Sequence, residues 1–180
     1  RLIRAFYSIA IGMIVAYNYS DQIFDFIRMP LQPYLKNAGL VFTAPTDKFV
    51  AHIKVSIFAG MLITAPFWLY QVWKFVAPAL YSKEKKYTLG FLIAGTILFL
   101  TGVGFSYFGV MPIALKYLLG FGGSLDSPMI TIDQYLSFFL MMNLMFGLAF
   151  ELPLIIVVLG MLGIVSSKFL REKRRYALVF

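Results

Sequence analysis

The sequence has no cysteine and a single histidine. The first absence removes disulfide frameworks and thiolate metal sites together. The second leaves His52 without a histidine partner at helical spacing, so a zinc-protease motif cannot be written. His52 is expected at the outer membrane interface as an ordinary polar residue. Charge is equally scarce: 13% of the 180 residues are Asp, Glu, Lys or Arg, and 61% are hydrophobic. Soluble domains carry about 25% charge and about 45–50% apolar residues, so the composition calls for lipid as solvent. The formal charge of +8 does not make a nucleic-acid face, because the basic residues stand in short clusters between long apolar runs. No Ser with a Lys or His partner is singled out inside those runs. The chain is read as a non-enzyme with no cofactor.

What is present is a series of apolar runs. A helix needs about 20 such residues to cross the hydrocarbon core. Four segments qualify, at about 2–19, 55–80, 88–115 and 135–165, and the last three are long enough to tilt, kink or project. Pro66 interrupts the second, Pro112 lies near the exit of the third, and Glu151 and Pro153 interrupt the fourth. The start of a fifth is expected near Ala177. The first run lacks a small-residue cleavage site after Tyr19, which argues for an uncleaved span over a signal peptide. A chain that opens on Arg1 and ends inside an apolar stretch is expected to be a fragment of a longer protein. The fold class is therefore all-α: a polytopic membrane helix bundle, four complete spans plus the start of a fifth, forming one transmembrane domain.

Orientation follows from Lys and Arg outside the spans. Eleven stand before the first span, around the connection at 81–87, and in the connection at 166–176; five stand on the other side, among several aspartates. The first set is assigned to the cytoplasm, which places the amino end inside. Residues 20–52, with Pro30, Pro33 and Pro45 among apolar clusters, form an outer cap at the interface. Thr131-Ile-Asp-Gln134 is a capping box that starts the fourth helix, flanked by Ile130 and Tyr135 at staple positions. Small residues at Gly90, Ala94, Gly95, Gly102, Gly104, Ser106 and Gly109 are expected to serve helix packing.

Two acids invite a functional reading. Glu151 sits near the middle of an apolar span, where a carboxylate costs several kcal/mol unless it is paired, hydrated or protonated. It is either a packing residue bonded within the bundle or a polar spot in a groove that meets a partner. Pro153 removes a backbone donor nearby and favours a bend. Glu84 is the one acid among Lys83, Lys85 and Lys86. It either neutralises them, worth about 0–1 kcal/mol, or accepts a guanidinium from a partner, a stronger and more selective contact.

Several stretches carry a resemblance. Ala65-Pro66-Phe-Trp-Leu-Tyr70-Gln-Val-Trp73-Lys-Phe75, continuing through Pro78 to Tyr81-Ser-Lys-Glu84-Lys, resembles TatC, the core subunit of the twin-arginine protein translocase. So do Phe105-Ser-Tyr107-Phe with Met111-Pro112, Asp133-Gln-Tyr135, and Phe146-Gly147-Leu-Ala-Phe150-Glu151-Leu-Pro153. The resemblance covers nearly the whole chain. It implies a cupped, six-span membrane protein of the bacterial-type inner membrane that receives twin-arginine signal peptides for export of folded proteins, driven by the proton-motive force. It further implies TatA and TatB as partners and a homo-oligomer within the complex, with no nucleic acid. Phe75 and Glu84 fall on the family's signal-recognising loop positions, Glu151 on its groove-facing intramembrane glutamate, and Pro30 on a proline of the outer cap. Pro66, Pro78 and Pro153 are structural by the same comparison. The family's amino-terminal tail, with its own signal-recognising glutamate, would precede Arg1, and the last spans, which help dock TatA and TatB, would lie largely beyond Phe180. A rival reading is a proton-coupled secondary transporter with Glu151 as relay, but such folds show paired repeats around a midplane site and no repeat is visible here. A purely structural anchor would not explain an acid kept at mid-membrane.

Overall fold

A computed structural model describes residues 2–35, 39–76, 87–120 and 129–161. Among these residues the chain is all-helical apart from one isolated bridge. The elements are α1 (Leu2–Tyr17), α2 (Ser20–Arg28), a 3-10 turn (Gln32–Tyr34), α3 (Asp47–Ile63), α4 (Ala65–Val76), α5 (Tyr87–Phe105), a π-helical segment (Ser106–Val110), α6 (Met111–Gly120) and α7 (Ile132–Met161). Residues 89–120 and 132–160 are each long and apolar enough to cross a bilayer. The pair α3 and α4 makes a third candidate span, bent by 67° at Thr64. The first apolar run stops at Tyr17, so α1 is 16 residues long.

Two close crossings hold the bundle. α1 meets α3 where Gly12 faces Gly60, and a Cβ at Gly60 would lie 2.5 Å from the Met13 nitrogen. α5 meets α7 where Gly102 faces Phe146 and Gly147 faces Phe99; a Cβ at Gly102 would lie 2.6 Å from the Phe146 carbonyl oxygen. Backbones can approach this closely only at small residues. Of the small residues singled out along the third apolar run, Gly102 makes such a contact, whereas Gly90 and Gly104 face open space.

The bend between α3 and α4 has a local cause. Pro66 has no N–H to give to Leu62, so the α3 ladder ends there and Pro66 takes a place in the first turn of α4, where a missing donor costs nothing. The Thr64 hydroxyl and amide both donate to the Gly60 carbonyl, at 2.7 and 3.0 Å. The Met61 carbonyl accepts the Trp68 indole N–H at 3.0 Å. Pro112 has a parallel effect: one residue before it, Met111 donates to Ser106, five residues back, so a wider turn precedes a residue that cannot donate four back. Pro153, by contrast, lies inside α7 without ending it.

The segment between α1 and α3 is tied down rather than looped out. α2 buries Phe24 and Ile27, and Leu31 follows fully buried, against Val55, Phe58, Tyr107, Leu136 and Phe139. The last carbonyls of a helix lack partners of their own. Here two tyrosines contribute: Tyr107 donates to the Phe26 carbonyl at 2.7 Å, beside the Met29 amide at 3.3 Å, and Tyr135 donates to the Ile27 carbonyl at 2.6 Å. Val41 pairs with residues 130 and 132 through two backbone hydrogen bonds of 3.0 and 2.9 Å. Asp47 closes the loop before α3 by accepting from the Ala44 and Thr43 amides, both at 2.8 Å, and these bonds lower its pKa below the ordinary carboxylate value. The Thr131 hydroxyl accepts from the Gln134 amide at 3.4 Å, and Lys54 bridges Asp133 at 2.5 Å and Ser137 at 3.1 Å. A second apolar cluster, Ala65, Leu69, Phe99, Leu154 and Val158, lies at the opposite end.

Removing the Tyr135 hydroxyl leaves the Ile27 carbonyl buried without that donor, so Tyr135→Phe should lower unfolding stability by about 1–3 kcal/mol, measured by denaturant titration in detergent. Gly60→Ala should lower the melting temperature because a backbone atom stands in the way. Gly90→Ala, which meets nothing, should be neutral or stabilising by up to about 1 kcal/mol.

Candidate functional site

Glu151 lies on α7 in the stretch Leu148, Glu151, Ile155, Val158, Leu159, whose spacing of three and four residues puts these side chains on one face. The 67° bend turns α4 so that Trp68, Leu69 and Val72 form the facing wall. Trp68 is fixed there by its bond to Met61 and by an edge-to-face contact with Phe99, ring centroids 5.3 Å apart at 88°. Between the two walls is a groove of about 260 Å3. Its other seven lining residues are all apolar or aromatic.

Glu151 is 4% exposed. Both carboxylate oxygens are buried, and no described protein group donates to either one. Native structures leave few buried polar atoms unbonded, and an unbonded one points to a role outside the fold. The arrangement is an apolar slot with a single acceptor set in it, suited to an apolar segment that brings one donor. Asn143, two turns earlier on α7, gives its amide to the Phe139 carbonyl at 2.8 Å, while its own oxygen is likewise buried and unbonded. Asn143 lines a separate apolar cavity of about 230 Å3 beside Phe58, Leu62, Val103 and Phe139. The sequence reading passed over Asn143; an amide embedded in Phe139–Phe150 was the available signal.

The other residues singled out in the sequence are placed unevenly. Phe75 falls within the helical backbone of α4, whereas Glu84 and Pro78 lie outside the described residues. Pro30 follows the end of α2 and is half-buried. Pro66 sits at the bend, and Pro153 lies within α7, two residues beyond Glu151. His52 is on α3, its ring nitrogens 3.2 Å from the Ser20 hydroxyl and 3.7 Å from an Asp21 carboxylate oxygen. Among the described residues no group of three His, Asp or Glu side chains is arranged to hold a metal.

Comparison with known proteins agrees along the whole chain. The family model described as Sec-independent protein translocase protein (TatC) matches residues 1–180. The TatC protein of Carboxydothermus hydrogenoformans is 43% identical over 173 residues, which cover 96% of this chain and 70% of that protein. That of Aquifex aeolicus is 36% identical over 181 residues, covering 99% and 75%. A crystal structure titled as the twin-arginine translocase receptor TatC superposes with a TM-score of 0.87 at 36% identity, over 99% of this chain and 79% of that one. A second, in the detergent DDM, gives 0.86 over 99% and 80%. Fold, sequence and family model coincide: the chain belongs to the TatC family of Sec-independent protein translocases, a membrane component of protein export and not an enzyme.

Proposed function

We propose that this chain receives twin-arginine signal peptides through Glu84 and Phe75 and accommodates the apolar part of the signal along the groove that holds Glu151. The observation that carries the reading is Glu151 itself, a carboxylate 4% exposed, with both oxygens unbonded, in an otherwise apolar slot. Such a group is costly to the fold: an acid at a helix centre costs about 2.5–3.5 kcal/mol on insertion scales. A signal segment or partner helix that supplies a donor would recover part of that cost.

The topology is part of the same proposal. Four spans, with the amino end and the basic connections at 81–87 and 166–176 in the cytoplasm of a bacterial-type inner membrane, account for the Lys and Arg asymmetry. They put Glu84 on the side from which folded precursors arrive. A carboxylate there meets the two arginines as a planar, bidentate acceptor, a geometry that lysine would not reproduce. TatA and TatB are the proposed partners within a multi-copy assembly, and the proton-motive force is the energy source that fits the family role. Pro66 serves this function by bending α3 into α4, and Pro30, Pro78 and Pro153 are assigned structural roles beside it.

Reversing the charge, Glu84→Arg, should weaken binding of a twin-arginine peptide by at least about tenfold, since a charged hydrogen bond is worth about 1.5–3 kcal/mol. Peptide crosslinking or fluorescence anisotropy in membranes measures this, and unchanged affinity would remove Glu84 from recognition. Glu151→Leu should raise the melting temperature of the purified protein while reducing export of a twin-arginine reporter. Lower stability with full export would make Glu151 a packing residue.

A further inference from the structure

Where α2 meets the start of α3, far from the Glu151 slot in the sequence and lined by none of the same residues, lies a cavity of about 310 Å3 walled by Arg28, Lys48 and His52 over Phe24, Phe42 and Ile132. Its cations are held in place by aromatic rings. The Arg28 guanidinium carbon lies 4.4 Å from the Phe24 ring centre, and the Lys48 ammonium 5.8 Å from that of Phe42. His52 stacks against the same Phe24 ring at 5.8 Å.

The charges in this pocket are incompletely matched. Asp25 takes one Arg28 nitrogen, Nη2, at 3.1 Å, but the Arg28 Nε is buried and donates to no described group. Lys48 forms an ion pair with no described carboxylate. Asp21 also borders the cavity, yet its side chain is 92% exposed and turned to His52 at 3.7 Å. An arginine whose side chain is 41% exposed but whose Nε is buried without an acceptor, a second cation and an apolar floor together ask for a compact anion with apolar substance attached to it.

We propose that this pocket binds a phosphate group, with Arg28 and Lys48 as its two ligands and the Phe24–Ile132 floor beneath it. Phosphate oxygens suit the fork of an arginine and the point charge of a lysine at once. Two sources share this chemistry: the headgroup of an anionic phospholipid and free inorganic phosphate. The site favours the headgroup. Phe42, one of its lining residues, is 54% exposed, as aromatic rings are at the headgroup level of a bilayer, and the apolar floor can receive the first carbons of a lipid. The leaflet would be the outer one, a point that rests on the topology proposed above; the binding itself does not.

The test uses the whole chain, purified in detergent and stripped of lipid, titrated separately with phosphatidylglycerol, phosphatidylcholine and inorganic phosphate. Native mass spectrometry reads lipid adducts, and thermal unfolding reads phosphate. Phosphatidylglycerol adducts in preference to phosphatidylcholine, about tenfold fewer in R28Q/K48Q, establish the site with lipid as its source. A melting shift with inorganic phosphate that the double variant loses, with lipid adducts unchanged, establishes it with free phosphate as its source. If R28Q/K48Q does not fold, K48E on the exposed start of α3 should give the same loss, and R28K should retain more binding than R28Q. Equal adducts and equal melting shifts in wild type and variants overturn the proposal. Twin-arginine peptide binding, measured on the same samples, is expected to be unchanged, so failure here and failure of signal recognition are read separately.

Discussion

Lipid offers a buried N–H or C=O no hydrogen bond, and most of the irregular points of this bundle answer that constraint. At the α3–α4 bend the ladder must break because Pro66 cannot donate, and the Trp68 indole takes the Met61 carbonyl that the break exposes. At the end of α2 two tyrosine hydroxyls, brought from the α5–α6 helix and from α7, take the carbonyls of Phe26 and Ile27. Before Pro112 the helix widens to a π turn and keeps donating through Met111. The tryptophan and tyrosine repairs also fix contacts between elements, so there meeting backbone needs and packing the bundle are one process.

Against that pattern the unsatisfied groups acquire meaning. Glu151 has two unbonded oxygens in an apolar slot whose walls exist because α4 is bent toward α7. The same proline that forces the Trp68 repair thereby builds the groove. Charge follows the same logic among the described residues: Asp47 meets the Thr43 and Ala44 amides and Asp133 meets Lys54. An acid kept without a donor is a cost to folding, and the proposed role in receiving signal segments is what would offset it.

Much of this was legible in the sequence because it is local. Hydropathy and sparse charge identify lipid-embedded helices; Pro66 marks a break; Thr131 and Gln134 cap a helix three residues apart; Glu151 stands out against its apolar neighbours. The missing parts depend on distant residues. Tyr135 and Ile27 are 108 positions apart, and nothing near either one announces the bond. Hydropathy runs the outer cap to residue 52, yet α3 is already helical from Asp47, because Asp47 ties back to Thr43 and Ala44 and starts the helix earlier. Small residues along the third apolar run are expected to serve packing, but small size alone does not identify the crossing. Gly102 is at one because Phe146 is opposite, Gly60 because Gly12 is, and Gly90 faces nothing.

The central claim is that this bundle sits with its basic connections in the cytosol and its α2 cap outside, so that Glu84 faces arriving precursors. The cysteine-free sequence allows single cysteines to report it without background. Intact cells carrying Phe42→Cys or Lys85→Cys would be treated with a membrane-impermeant maleimide. The account predicts labelling at position 42 and none at position 85 until the membrane is opened; labelling at 85 in intact cells, with 42 protected, would contradict it.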